Sequence, residues 1–161
     1  PELIERMKKL PLVLDIQPTF LMTDLHWIEE RVGKERAVLS YPWKTYLDAG
    51  LIMAGGSDAP VESFNPWIGI YATVTRQDMD GYPVGGYHPN EKVSVHDAVC
   101  MYSKNVAYAN GDQDLMGTIE AGKFADMVVI DRDIFHIPEN DIKDIQVLNT
   151  YMAGIERYHR D

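Results

Sequence analysis

The stretch Leu51-Ile52-Met53-Ala54-Gly55-Gly56-Ser57-Asp58-Ala59-Pro60 constrains this chain more than any other. Its unbroken apolar run predicts a strand covered on both faces, the pattern of parallel sheets. Gly55-Gly56 lets the backbone leave the sheet in conformations closed to other residues, and Pro60 bars a simple continuation. Parallel strands of barrels and open α/β sheets keep their chemistry at their C-terminal ends, so this exit can deliver the Asp58 carboxylate into a pocket. A second reading stands beside it: Ser57 and Asp58 form a turn or cap the next helix.

The flanking segments repeat the pattern. Pro1 to Leu10 carries Leu3, Ile4, Met7 and Leu10 at helical spacing, with Glu2 and Glu5 early and Lys8 and Lys9 late, as the helix dipole favours. The run from Pro11 ends at Gln17-Pro18, a second strand-to-loop exit. Between the two exits, Thr23-Asp24 is placed to cap a helix carrying Leu25, Ile28 and Val32, and Tyr41-Pro42-Trp43 to start another that ends at Gly50. Helix, strand, helices, strand is the order of a parallel α/β protein. Asn65-Pro66 then opens a helix through Arg76, residues 78–91 form a Gly-, Pro- and Tyr-rich loop, and Ser94 caps a helix ending near Asn110-Gly111. From Gly117 the texture changes to strands with glycine-marked turns, Gly117 to Asp131 and Val147 to Tyr158, which divides the chain into units 1–116 and 117–161.

Composition narrows the function. Fifteen basic against 25 acidic residues, a formal net charge of -10, repel a phosphate backbone and exclude nucleic acid as a partner. The chain holds no apolar run of about 18 residues and no signal-peptide pattern, so neither membrane partner nor span is expected. Its single cysteine, Cys100, reads as a buried, inert thiol and suits a reducing, cytoplasmic compartment. Pro1 in place of Met predicts a processed start or a piece of something longer.

Chemistry-bearing patterns are sparse. His26, His88, His96, His136 and His159 have no HxH or HExxH spacing, and only His88, in the long loop, is kept as a ligand candidate. Gly56-Ser57-Asp58 lacks the second glycine of a nucleophile elbow, and Gly85-Gly86 lacks the Lys-Ser/Thr of a phosphate loop. Asp58 remains, with Gln17 and Arg76 as companions in a substrate pocket. Arg76 has two readings, a pocket residue paired with a carboxylate and an exposed helix-end arginine.

The segment Gly117-Thr-Ile-Glu-Ala-Gly122-Lys-Phe-Ala-Asp126-Met-Val-Val-Ile-Asp131 strongly resembles the G-x-I-x-x-G-K-x-A-D-x-V-V-x-D segment near the C-terminus of the amidohydrolase superfamily. Gly55 to Pro60 resembles that superfamily's final barrel strand, Gln17-Pro18 the preceding exit, and Ala72-Thr-Val-Thr-Arg76 the following helix. Together they resemble the amidohydrolase-3 branch, metal-dependent hydrolases related to the formamide deformylases.

The resemblance implies an α/β fold: the last strand-helix units of a (β/α)8 TIM-type barrel, followed by the C-terminal strands of a small β-sandwich. It implies that Asp58 is both a metal ligand and the catalytic group that orients water and carries its proton to the leaving nitrogen. It implies a divalent metal, zinc, in a longer parent protein and a small-molecule amide-type substrate. Asp126, by the same match, is a structural turn residue. The family's metal-binding histidines have no counterpart here, and a closed barrel needs roughly 250 residues. Two functions follow as expectations. One is the C-terminal part of an enzyme hydrolysing a non-peptide carbon-nitrogen bond, inactive alone and binding no metal by itself. The other is a stand-alone module that associates with a complementary chain. In either case the open edges predict pairing with the N-terminal part of the same enzyme or self-association.

Overall fold

Two short parallel strands carry the architecture, as the apolar runs require. In the computed structural model, which describes residues 2–161, the elements are α1 (Glu2–Met7), β1 (Val13–Ile16), α2 (Phe20–Asp24), α3 (Ile28–Val32), α4 (Lys34–Ala37), α5 (Trp43–Asp48) and β2 (Ile52–Gly55). They continue with α6 (Pro66–Thr75), α7 (Val95–Met101), α8 (Lys104–Asn110), β3 (Met127–Ile130), β4 (Val147–Met152) and β5 (Ile155–His159). Pro1, placed by its sequence in the opening helix, lies outside the described residues.

β1 pairs with β2 in parallel, Val13 opposite Ile52 through Ile16 opposite Gly55. β3, β4 and β5 form an antiparallel sheet in that order. The fold is therefore mixed α/β with two small sheets. No described helix is long and apolar enough to cross a membrane. α6 is the central helix, with Gly69 to Thr75 all buried, and on it converge residues from both sides of position 117: Leu21, Trp43, Met53, Ala98 and Met101 with Ile134, Ile142 and Ile145.

Local chemistry explains several boundaries. Asn65 accepts a hydrogen bond from the Trp67 amide at 3.1 Å and Pro66 follows at the first helical position, so α6 starts where its sequence predicts. Ser94 accepts from the Asp97 amide at 3.1 Å and caps α7. Asp126 accepts from the Ala153 amide at 2.7 Å and ties β3 to the β4–β5 turn, the structural role expected of it.

Other expectations are corrected. Thr23 and Asp24 do not cap a helix; they end α2, and Asp24 instead accepts a hydrogen bond from the Tyr41 hydroxyl. The helix expected from Ser94 to Gly111 is two helices, broken at Tyr102-Ser103, where the Ser103 hydroxyl bonds back to the Val99 carbonyl at 2.8 Å. Of the segment 117–131, only Met127–Ile130 is strand. Cys100 is half-buried rather than buried, its sulfur 3.9 Å from the His96 ring nitrogens.

The glycine pair is corrected most instructively. Neither Gly55 nor Gly56 has a positive φ. Gly55 is needed for space: a Cβ there would meet the Tyr102 ring at 2.6 Å, and one on Gly69 of α6 would meet the Tyr102 hydroxyl oxygen at 1.9 Å. The two glycines form a notch that lets the Tyr102 ring lock β2 to α6. Gly69→Ala is expected to destabilise the protein by about 1–3 kcal/mol despite alanine's higher helix propensity. Adding Tyr102→Phe, which removes the colliding oxygen, should recover part of the loss in urea unfolding.

Candidate functional site

The two strand exits lie side by side. The Gly56 amide donates to the Ile16 carbonyl at 2.8 Å, extending the parallel ladder one step beyond β2, so Gln17 and Ser57 leave adjacent strand ends. Asp15 lies on this face too, its Oδ1 3.5 Å from where a Cβ on Gly56 would stand. Asp58 is exposed and adopts a left-handed conformation, φ 55°, tolerated by aspartate better than by most residues. Its carbonyl accepts from the Val61 amide at 2.9 Å, closing a turn.

The three residues singled out from the sequence do not share one pocket. Gln17 lines a cleft of about 370 Å³ whose walls include Asp15, Asp24, Tyr41 and Tyr46. Asp58 lies on the neighbouring exit and is not part of that wall. Arg76, weighed in sequence as an exposed helix-end residue, is fully buried behind the cleft.

Arg76 caps α6 in a left-handed conformation, φ 56°. Its Nε donates to the Tyr87 carbonyl at 2.5 Å and its Nη1 to the Tyr41 carbonyl at 2.9 Å, and the guanidinium carbon sits 4.8 Å from the centre of the Trp43 ring. Burial lowers its pKa to about 10, partly opposed by the charge of Glu91, so it remains a cation at neutral pH. Glu91 is itself buried and accepts from the Thr45 amide at 2.9 Å and from the Thr45 hydroxyl at 2.5 Å. It thus supplies, from 46 residues away, the cap that Pro42 does not give α5.

Tyr41 is the cleft residue that sequence reasoning missed. It is held at φ 55°, uncommon for a bulky side chain, by Arg76 and the Trp43 amide, both bonded to its carbonyl. Burial, then its bond to Asp24, raises the phenol pKa well above the ordinary value, so it stays a hydrogen-bond donor. No sequence signal marks such a conformation, because Tyr41-Pro42 reads simply as a helix start.

The donors present do not make a metal centre. Among the described residues no three His, Cys, Asp or Glu side chains converge in a metal-holding set. His26 pairs with Asp78 at 2.9 Å, and His136 and His159 pair with carboxylates three residues away. His88, the ligand candidate, packs edge-on against Tyr87 with ring centres 4.2 Å apart and keeps Nε2 buried without a partner. Burial, and then the charge of Arg76, lowers its pKa. Asp58 can contribute one ligand, and no step through a metal follows from these residues.

The sequence pattern of the amidohydrolase family matches residues 1–158. YtcJ of Bacillus subtilis is 33% identical over 153 residues, covering 95% of this chain and 29% of that protein. The N-substituted formamide deformylase of Arthrobacter pascens is 37% identical over 120 residues, covering 74% of this chain and 22% of the enzyme. Among solved structures, an uncharacterized metal-dependent hydrolase of Pyrococcus horikoshii superposes with a TM-score of 0.75 at 30% identity, over 86% of this chain and 28% of that one. The chain spans less than a third of the length of the curated relatives it matches.

Two outcomes test this geometry. Arg76→Met would remove the side-chain donor to the Tyr87 carbonyl and one of the two donors to the Tyr41 carbonyl, and an unfolding free energy lower by about 2–4 kcal/mol is expected in urea titration. His88, its folded pKa lowered, binds fewer protons folded than unfolded. Its contribution is fully present above the ordinary value of 6.5 and is lost as pH falls through the folded value. His88→Asn, which tolerates the left-handed backbone, should flatten that part of the stability–pH curve.

Proposed function

Because the chain belongs to the amidohydrolase family, we propose that it is the C-terminal part of a metal-dependent hydrolase that cleaves a non-peptide, amide-type carbon-nitrogen bond in a small molecule, with Asp58 at the reacting centre. The observation that carries this reading is the in-register parallel pair, whose adjacent exits present Gln17 and Asp58 on one end of the sheet. On this reading β1 and β2 are the last strands of a (β/α)8 barrel, residues 1–116 its C-terminal part, and residues 117–161 the C-terminal share of a β-sandwich. The segregation of β3, β4 and β5 into their own sheet after residue 117 supports that division.

Asp58 is suited to the role by position. It is exposed at a strand exit, where a carboxylate can accept a proton from an attacking water and return it to the leaving nitrogen. The divalent metal of the longer protein, zinc in this proposal, would take Asp58 as one ligand and its others from outside this chain, so the chain alone is inactive. Gln17 contacts substrate from the cleft. Arg76, with two donors committed to backbone carbonyls, acts by positioning Tyr41 rather than by touching substrate.

Both outer edges of the β1–β2 sheet are unpaired among the described residues, and β5 is exposed throughout its length. These edges favour association, either with the N-terminal part of the same enzyme or with a complementary chain for which this one is a binding module. The enzyme reading is tested by Asp58→Asn in the longer protein. Hydrolysis should fall by around 10²- to 10⁴-fold while circular dichroism stays the same; unchanged turnover would remove Asp58 from the reacting centre.

A further inference from the structure

One residue at the β2 exit is held from both sides. The Gly56 amide donates to the Ile16 carbonyl of β1 at 2.8 Å, and the Gly56 carbonyl faces the Tyr102 hydroxyl at 3.5 Å. Asp58 follows two residues later. Its carbonyl accepts from the Val61 amide at 2.9 Å, so the exposed carboxylate is carried by a short segment fixed at Gly56 on one side and by a turn on the other.

Tyr102 is fitted to this place by the residues around it. It follows α7 directly, and its ring lies in the notch between Gly55 and Gly69, where a Cβ would come within 2.6 Å of the ring or 1.9 Å of the hydroxyl oxygen. Filling that space needs only the ring. The hydroxyl adds a desolvation cost: burial raises the phenol pKa well above its ordinary value, so the group stays a donor, and among the described residues its one acceptor is the Gly56 carbonyl. Asn105 of α8 donates to the Met53 carbonyl at 2.9 Å and holds the middle of β2. The Tyr102 contact is the anchor nearer the exit.

We propose that Tyr102 is a positioning residue for the hydrolytic site: ring and hydroxyl together set the Gly56 carbonyl, and through it the placement of the Asp58 carboxylate. This rests on the reading that puts Asp58 at the reacting centre. There the carboxylate takes a proton from the attacking water and gives it to the leaving nitrogen, and a misplacement of about 1 Å can cost such a step on the order of 100-fold. Tyr102 itself touches neither substrate nor reacting atoms. Its loss therefore acts on kcat and spares KM.

The test is Tyr102→Phe, which keeps the ring in the notch and removes only the hydroxyl. In the longer protein kcat should fall about tenfold with KM within about twofold of the parent. In the Asp58→Asn background the same substitution should cost nothing further, because both changes act through one carboxylate. A readout independent of turnover comes from nuclear magnetic resonance of this chain: the amide proton and nitrogen signals of Ser57 and Asp58 should move in Tyr102→Phe while those of β3, β4 and β5 stay in place. A residue that merely fills the notch would leave kcat and those signals unchanged, and that result overturns the proposal. Unmoved Ser57 and Asp58 signals overturn it whatever kcat does, and so does a full further loss of kcat on top of Asp58→Asn. The two readings fail separately. If Asp58→Asn leaves turnover unchanged while the signals still move in Tyr102→Phe, the hydrolytic role of Asp58 falls and the hold of Tyr102 on the exit stands.

Discussion

The interior of this protein is organised around a buried positive charge. Taking a guanidinium out of water is costly, and the Arg76 site offsets that cost with two hydrogen bonds to carbonyls, the Trp43 ring, and the opposing charge of buried Glu91. The partners lie on two segments outside α6. Tyr41 and Trp43 begin α5, Tyr87 belongs to the long loop after α6, and Glu91 caps α5 through Thr45. One side chain thereby joins the start of α5 to the loop that follows α6.

That clamp decides what the site looks like. With its carbonyl held, Tyr41 stays in a left-handed conformation that would otherwise relax, and its hydroxyl reaches Asp24 across the cleft. The same arrangement separates functions that the sequence placed together. Gln17 faces an aromatic, acidic cleft, Asp58 occupies the adjacent exit, and Arg76 supports the cleft wall from inside through Tyr41 and Trp43. The Tyr102 ring makes a second lock, seated between Gly55 and Gly69, so β2 is fixed against α6 while its own outer edge is unpaired among the described residues.

Signals carried by neighbouring residues hold in the fold. The apolar runs ending at Gln17 and Asp58 are strands in parallel register, the Asn65-Pro66 and Ser94 signals start helices, and Asp126 ties a turn, because each depends on neighbours within a few residues or on a period of the strand itself. Failures arose where a distant partner overrode the local signal. Thr23-Asp24 looks like a cap, but Tyr41 claims the Asp24 carboxylate. Gly55 looks like a hinge, but its missing side chain serves a tyrosine 47 positions away.

By itself, the sequence determined that this is a mixed α/β chain of the amidohydrolase family with a carboxylate at a strand exit, since burial patterns, caps and family motifs are written in contiguous residues. Only the tertiary structure decided that Arg76 is a buried clamp, that Glu91 caps a helix 46 residues away, and that four aromatic rings and two carboxylates meet in one cleft. The physical reason is that burial of a charge, helix capping at long range and ring packing all depend on which segments become neighbours, and that is fixed by the packing of the whole core around α6.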